Sequence, residues 1–170
     1  MTGVLARWNS LPLEEAANEI RSCCGSKAWA HGMASNRPFS DVTTLLAASD
    51  ETWGNLNAAD WMEAFRSHPR IGESRAVQSA SATSQTWSAQ EQKQVASAGE
   101  DSQSAMAEAN RKYEQRFGHI FIVCATGKSA IDILEILQRR LQNDEHTELR
   151  EAAEQQRQIT NIRLTKWLSA

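Results

Sequence analysis

The sequence predicts an all-α protein, folded as a single compact domain of about eight helices over residues 1–170. Glycine and proline together number only 11, too few for the many turns of an all-β protein. Ala, Glu, Gln and Leu dominate, and these residues favour helix. Apolar residues also recur at helical spacing, as Ile133, Leu137 and Leu141 do at the end of one predicted helix.

Composition and charge exclude several classes of protein. The formal net charge is −3 and no long basic run occurs, so nucleic acid is not expected as the main partner. The chain has no N-terminal apolar run and no apolar span of about 18 residues, which predicts neither export nor membrane crossing. Three cysteines, two of them adjacent, make a poor disulfide framework and favour the reducing cytoplasm. The histidines lie far apart, without the spacing of metal ligands.

Caps and turns define the predicted helices of the first third of the chain. Pro12 in a first turn, followed by two acidic residues, favours a helix from Leu11 to Cys23. Asp41 is a typical N-cap for a helix over Val42–Ala48. Ser49-Asp50 is interpreted as a further cap before Trp53. Other helices are predicted over Ser26–Met33 and from Ala59 to His68, with a loop at Arg37–Ser40.

A titratable residue ends the apolar face of the helix before Pro69. Trp61, Ala64, Phe65 and His68 are spaced i, i+3, i+4 and i+7, so they share one helix face. Pro69 then ends the helix, because it lacks an N–H and disfavours helical backbone in the residue before it. The imidazole is thus held at a helix C-terminus, where carbonyl dipoles favour its protonated form. Two interpretations stay open: a hydrogen-bonded core histidine, or an acid/base group.

The polar stretch after this helix carries two overlapping signals. Residues 74–87 are rich in Ser, Ala, Gln and Thr and predict a surface loop, either a connector or an active-site lid. Ser88 with Glu91 matches a capping box that begins a long helix reaching Phe117. On a helical wheel of this predicted helix, Ser88, Glu91 and Gln92 lie on or beside an apolar face. Inward polar groups need a partner, and a ligand is one candidate.

The second half of the chain contains one β-like run and two further helices. Phe117–Cys124 is β-branched and aromatic, but a lone strand has no partner, so an extended or distorted segment is expected. Gly127-Lys128-Ser129 lacks the earlier glycine of a phosphate-binding loop and is interpreted as a turn and helix cap before Ser129–Leu141. The last helix is predicted from His146 to Leu168. Its apolar arc includes Gln156, Thr160 and Arg163, and this arginine either extends to the surface or binds a buried anion.

The candidate polar groups suit a small anionic substrate. His68 and Glu91 are an acid/base pair, and a glutamate beside a histidine raises the imidazole pKa and orients the ring. Arg163 matches a carboxylate through two parallel hydrogen bonds. Ser88 and Gln92 offer the donors and acceptors that ureido or lactam groups require. The residues by themselves predict a helical domain with an anion-binding acid/base site.

Several motifs follow one another along the chain: Arg37-Pro38-Phe39, Ala64-Phe65 with His68-Pro69-Arg70-Ile71-Gly72, Ser88-x-x-Glu91-Gln92, Phe117-Gly118-x-Ile120-Phe121-Ile122, and Ile159-Thr160 with Arg163-Leu164. In this order they resemble the motifs of the 2-oxo-4-hydroxy-4-carboxy-5-ureidoimidazoline (OHCU) decarboxylases. The resemblance runs from Trp8 to Trp167. His-Pro or Ser-x-x-Glu alone is common, whereas the ordered set is specific.

The resemblance implies an activity and a set of roles. The activity is the decarboxylation of OHCU to (S)-allantoin, the last step of urate oxidation, in an all-helical fold with no metal and no organic cofactor. His68 and Glu91 would be catalytic. Substrate would be held by Pro69, Ser88, Gln92 and Arg163, and by backbone amides near Ile120 and Ile122. A homodimer is the implied assembly, and His119 departs from the aromatic or apolar residue expected there.

Two alternatives come from other classes of protein. The first is a helical interaction protein without catalysis, in which the inward polar residues are ordinary caps and surface-reaching side chains. The second is a metal-dependent hydrolase that uses His68, Glu73 and Glu91. The alternatives predict different results for metal content and for turnover of freshly oxidised urate.

Overall fold

The computed structural model describes residues 3–73 and 80–170, and these residues form ten helices and no strand. The predicted all-α class is therefore confirmed, with more helices than the predicted eight or so. One extra helix is Gly3–Ser10, which the sequence analysis did not predict. In chain order the helices are α1 (Gly3–Ser10), α2 (Leu13–Ile20), α3 (Lys27–Ser35), α4 (Val42–Gly54), α5 (Ala58–Arg66), α6 (Ala82–Glu91), α7 (Lys93–Ala96), α8 (Glu100–Phe117), α9 (Ala130–Arg140) and α10 (Glu145–Leu168).

The chain divides into two compact units, Met1–Ala64 with Arg157–Ala170, and Phe65–Gln156. The expectation of one domain over residues 1–170 stays a prediction. Within the described ranges, none of the helices combines the length and the apolar character needed to span a bilayer.

Tryptophans fill much of the interior of the first unit. Trp8 is fully buried, and its Nε1 donates to the Ala16 carbonyl at 2.9 Å. The edge of its ring meets Trp167 at 5.5 Å between centroids, and its face stacks on Phe39 at 6.2 Å. The Arg37 guanidinium lies 5.1 Å from the Trp8 centroid, which combines apolar burial with a cation–π contact.

The second unit is built around the extended segment that follows α8. Gly118 ends α8 in the left-handed region, with φ 73°, where a side chain would be strained. The residues after it form neither helix nor strand, as predicted for this β-like run. Its side chains pack into a core with α8 and α9, and the fully or almost fully buried members include Tyr113, Phe121, Val123, Ile133 and Leu137.

Two predicted helix caps are wrong. Ser49 is no cap: it lies buried inside α4, where its hydroxyl accepts a hydrogen bond from Trp29 Nε1 at 3.3 Å. Ser88 is no cap either, because α6 begins at Ala82 behind Ser81, whose hydroxyl accepts from the Ser84 N–H at 3.1 Å.

The predicted long helix from Ser88 is also interrupted, so that α6, α7 and α8 are separate. Of the predicted loop over residues 74–87, the part from Ala82 onward is helical, and residues 74–79 lie outside the described ranges.

Candidate functional site

His68 lies just after α5, in a position set by hydrogen bonds at both ends of the residue. Its backbone N–H donates to the Phe65 carbonyl at 3.1 Å, which continues the last turn of the helix before Pro69. Its ring is half-buried, and Nε2 lies 2.7 Å from Oε1 of Gln156 on α10. The apolar helix face therefore ends in an oriented imidazole.

The loop that follows His68 is held by side chains from two neighbouring elements. Asn110 on α8 donates from Nδ2 to the Ile71 carbonyl at 2.8 Å. The Gly72 N–H donates to Oε1 of Gln92 at 3.1 Å. Gly72 adopts φ 86°, a left-handed conformation that favours glycine. The turn after Pro69 is thus fixed through both its carbonyl and its amide groups.

Ser88, Glu91 and Gln92 lie at the C-terminal end of α6. Ser88 and Glu91 are three residues apart, so their side chains share one helix face. Ser88 is buried, and Glu91 and Gln92 are half-buried. The Gln92 side chain joins this end of α6 to the His68 loop. Two of the predicted motifs therefore meet within the second unit.

Ile120 and Ile122, predicted for their backbone amides, lie in the extended segment. Ile120 is half-buried and Ile122 is 3% exposed. Arg140 Nη1 donates to the Ile122 carbonyl at 2.7 Å, and the Cys124 N–H donates to Gln155 Oε1 at 2.9 Å. A segment without ladder partners is thus fixed by side chains of α9 and α10, which satisfy buried backbone groups.

A buried ion pair supports this segment from beneath. Arg140 and Glu148 are both fully buried, with Arg140 Nε 2.8 Å from Glu148 Oε1. The guanidinium also lies 4.6 Å from the Phe121 centroid. Tyr113 donates its hydroxyl to the same carboxylate oxygen, and burial raises the pKa of Tyr113 far above its ordinary value. Geometry and extra hydrogen bonds of this kind are what a buried charge pair requires.

His119 packs as an aromatic side chain among Phe65, Tyr113 and Phe117, with centroid distances of 5.4, 5.5 and 6.4 Å. Its Nδ1 lies 2.9 Å from the Ile120 carbonyl, so Nδ1 carries the proton. Burial lowers the pKa of His119 below its ordinary value. These contacts account for a histidine in an aromatic position.

Arg163 belongs to the first unit, on the second half of α10. It is 1% exposed, so its guanidinium does not reach the surface and the surface-reaching interpretation is wrong. Its charge opposes the burial effect that raises the pKa of Cys23 to about 12 and of Cys24 to about 11. Thr160, one turn earlier on α10, hydrogen-bonds Cys24. Pro69, the remaining predicted residue, is half-buried in the second unit.

Sequence reasoning missed three residues that hold the site in place, Gln155, Asn110 and Arg140, and it noted Gln156 without assigning its contact with His68. Gln156 had a usable signal, because it is a polar residue in the apolar arc of α10, and the structure buries it completely. Among the described residues, no group of three or more His, Cys, Asp or Glu side chains is arranged to hold a metal ion.

Comparison with known proteins relates this architecture to one family. The OHCU decarboxylase family model matches residues 9–165. The uric acid degradation bifunctional protein TTL of Arabidopsis thaliana is 31% identical over 159 residues, covering 94% of this chain and 49% of the relative. The 2-oxo-4-hydroxy-4-carboxy-5-ureidoimidazoline decarboxylase of Mus musculus is 29% identical over 136 residues, covering 80% of this chain and 76% of the relative. The chain thus spans about half of the Arabidopsis protein, and it spans 31% of a bifunctional relative from Bacillus sp. (strain TB-90).

A solved structure extends the relationship to three dimensions. The crystal structure of an OHCU decarboxylase determined in the presence of (S)-allantoin superimposes with a TM-score of 0.76 at 31% identity. The match covers 90% of this chain and 99% of the solved one. The family match spans every predicted motif, from Arg37-Pro38-Phe39 to Arg163-Leu164. The chain therefore belongs to the OHCU decarboxylase family.

Proposed function

We propose that this chain catalyses the decarboxylation of OHCU to (S)-allantoin, without a metal or an organic cofactor. The observation that carries the proposal is the Gly72–Gln92 hydrogen bond, which joins the His68 motif to the Ser88-x-x-Glu91-Gln92 motif. Family membership and the solved relative studied with (S)-allantoin support the same reaction. The substrate is a small molecule, and we expect neither nucleic acid nor membrane as a partner, a cytoplasmic location, and a homodimer.

The chemistry needs only what side chains supply. The carboxylate and the hydroxyl share one ring carbon, beside the ring carbon that carries the ureido group. When the carbon–carboxylate bond breaks, its electron pair moves into the ring C=N system, CO₂ leaves, and an enol with a delocalised charge forms. The ring nitrogen and the neighbouring carbon each take up a proton, while the enol loses its hydroxyl proton and becomes the carbonyl. Oriented donors stabilise such charge as it develops.

His68 and Glu91 are the proposed proton-transfer groups. A half-buried imidazole fixed at the end of α5 is suited to move one proton at the substrate hydroxyl or carbon. Protonation from one fixed face gives one enantiomer, which accounts for an (S) product.

The remaining groups are proposed to bind and orient the substrate. The Gln92 amide oxygen already accepts from Gly72, so its NH₂ group is the part that can donate to a ring or ureido oxygen. Ser88 contributes a hydroxyl, Pro69 an apolar contact, and the segment at Ile120 and Ile122 its backbone amides. Arg163 is the proposed partner of the substrate carboxylate, since a guanidinium matches that group in two parallel hydrogen bonds.

Circular dichroism with freshly generated urate-oxidation product tests the reaction. The expected result is (S)-allantoin signal that forms faster than in buffer, increases with protein concentration, and survives exhaustive chelation. Formation at the buffer rate, or of racemic product, would favour the non-catalytic interaction protein. Activity that is lost on chelation and restored by a divalent ion would favour the metal-dependent hydrolase.

A further inference from the structure

The His68 ring faces a neutral side chain at Nε2. Gln156 Oε1 lies 2.7 Å from that nitrogen, and Gln156 is completely buried. A buried amide must satisfy its polar atoms, so this contact is part of the fold and not an incidental surface approach. The two residues are 88 positions apart in sequence, and both belong to the second unit.

The contact has a chemical consequence for the imidazole. In neutral histidine one ring nitrogen carries the proton and the other carries the lone pair, and the hydrogen bond at one nitrogen determines which is which. An amide oxygen only accepts, so with Oε1 facing the ring the proton resides on Nε2. The lone pair then resides on Nδ1. Because glutamine is uncharged, it fixes this tautomer without the strong preference for imidazolium that a carboxylate would impose.

We propose that Gln156 is a positioning residue for the decarboxylation: it holds the Nε2–H tautomer of His68 and directs Nδ1 to proton transfer. The inference rests on the proposed function, because it assigns Gln156 a role through His68. Gln156 itself need not touch the substrate. General structural support would not fix a tautomer, whereas this role requires the proton of neutral His68 to reside on Nε2.

Nitrogen-15 NMR of the imidazoles at about pH 8, where neutral histidine dominates, tests the pattern directly. The His68 signals are assigned by their loss in His68→Asn. In the wild-type protein His68 should be the Nε2–H tautomer. Gln156→Met, similar in size but without an acceptor, should give mixed tautomers, whereas Gln156→Glu keeps the acceptor and should keep the Nε2 proton. Gln115→Met, at an exposed position of α8, is the matched control and should match the wild type.

Kinetics supply the second readout. Gln156→Met should lower kcat about tenfold to a hundredfold, as loss of an orienting contact does, and change KM less than about twofold. A wild-type Nδ1–H tautomer would overturn the proposal, and so would unchanged kcat in a folded Gln156→Met protein. If that variant does not fold, the wild-type tautomer decides: the Nε2–H form supports the proposal and the Nδ1–H form overturns it. The NMR result stands whether or not the wild-type protein forms (S)-allantoin, so failure of the two proposals is distinguished.

Discussion

The backbone N–H of Gly72 donates to the side-chain oxygen of Gln92 at 3.1 Å. Since a backbone N–H can only donate, the atom facing it must be the amide oxygen and not the amide nitrogen. The orientation of this amide is therefore fixed by the fold. The Gln92 oxygen is the acceptor for the loop, and we propose that its NH₂ group is a donor for the substrate.

Gln92→Glu separates these functions. The carboxylate keeps an acceptor for Gly72, so the thermal unfolding midpoint should stay close to that of the wild type. It replaces the NH₂ donors by a negative charge, so KM for the anionic substrate should rise at least about tenfold, a loss of about 1.4 kcal/mol. Steady-state kinetics measure the effect. Gln90→Glu, exposed on the same helix, is the control for added charge, and an equal rise in KM there would refute a specific role for Gln92.

The proposed acid/base pair is tested by His68→Asn and Glu91→Gln, which remove ionisation while keeping a polar side chain. Each should lower kcat by about two to four orders of magnitude, the range for loss of a positioned proton-transfer group. The circular dichroism assay measures the rate, and near-ultraviolet spectra verify the fold. His146→Asn, at an exposed histidine of α10, should keep wild-type turnover. A folded variant of His68 or Glu91 with wild-type turnover would remove that residue from catalysis.

Arg163→Lys tests the proposed carboxylate contact. Lysine keeps the charge but cannot reproduce the planar two-point geometry of a guanidinium. Calorimetry should therefore show that allantoate or another carboxylate analogue binds at least about tenfold more weakly, a loss of about 1.4 kcal/mol. The same change at exposed Arg111 should leave binding unaltered. Undiminished affinity in a folded Arg163→Lys protein would assign the anion to another group.

His119 predicts a dependence of stability on pH. Burial lowers the pKa of His119 in the folded state, so the unfolded chain binds the proton more readily. Its stability contribution is complete above the unfolded pKa of about 6.5 and decreases as pH falls toward the lowered folded value. His119→Phe keeps the aromatic packing and should reduce this acid destabilisation. Thermal unfolding between about pH 5 and 8 measures it, with exposed His146→Gln as the control; parallel curves for His119→Phe and the wild type would contradict the prediction.

One local capping signal was predicted correctly and another of the same spacing was not. Ser129 forms the predicted cap of α9, in a reciprocal box with Asp132, because such a motif is complete within four residues. Ser88 and Glu91 have the same type of spacing, yet Ser88 is 4% exposed inside α6. Ser81 caps this helix instead. Burial of Ser88 depends on distant residues, and the local pattern contains no information about them.

The same limit explains which parts of the candidate site were predictable. Residue types and order identified His68, Glu91 and Gln92 as candidates. Gln156 stood out as a polar residue in an apolar arc, but its contact with His68, 88 positions away, was not predictable. Arg140, which binds the Ile122 carbonyl, gave no such signal. The β-like run near Ile122 was correctly expected to be extended. The hydrogen bond that holds this run, from the buried Arg140 to the Ile122 carbonyl, depends on tertiary packing alone.

The adjacency of Gln155 and Gln156 limits how the length of this protein can vary. Successive residues of an α-helix are separated by about 100° of rotation and 1.5 Å of rise. These two side chains therefore point to different neighbours, Gln155 to Cys124 and Gln156 to His68. One residue inserted or deleted between Glu145 and Gln155 would turn both amides away from their partners at once. Loops can gain or lose residues without this penalty. The part of α10 from Glu145 to Gln155 is therefore expected to keep a constant length.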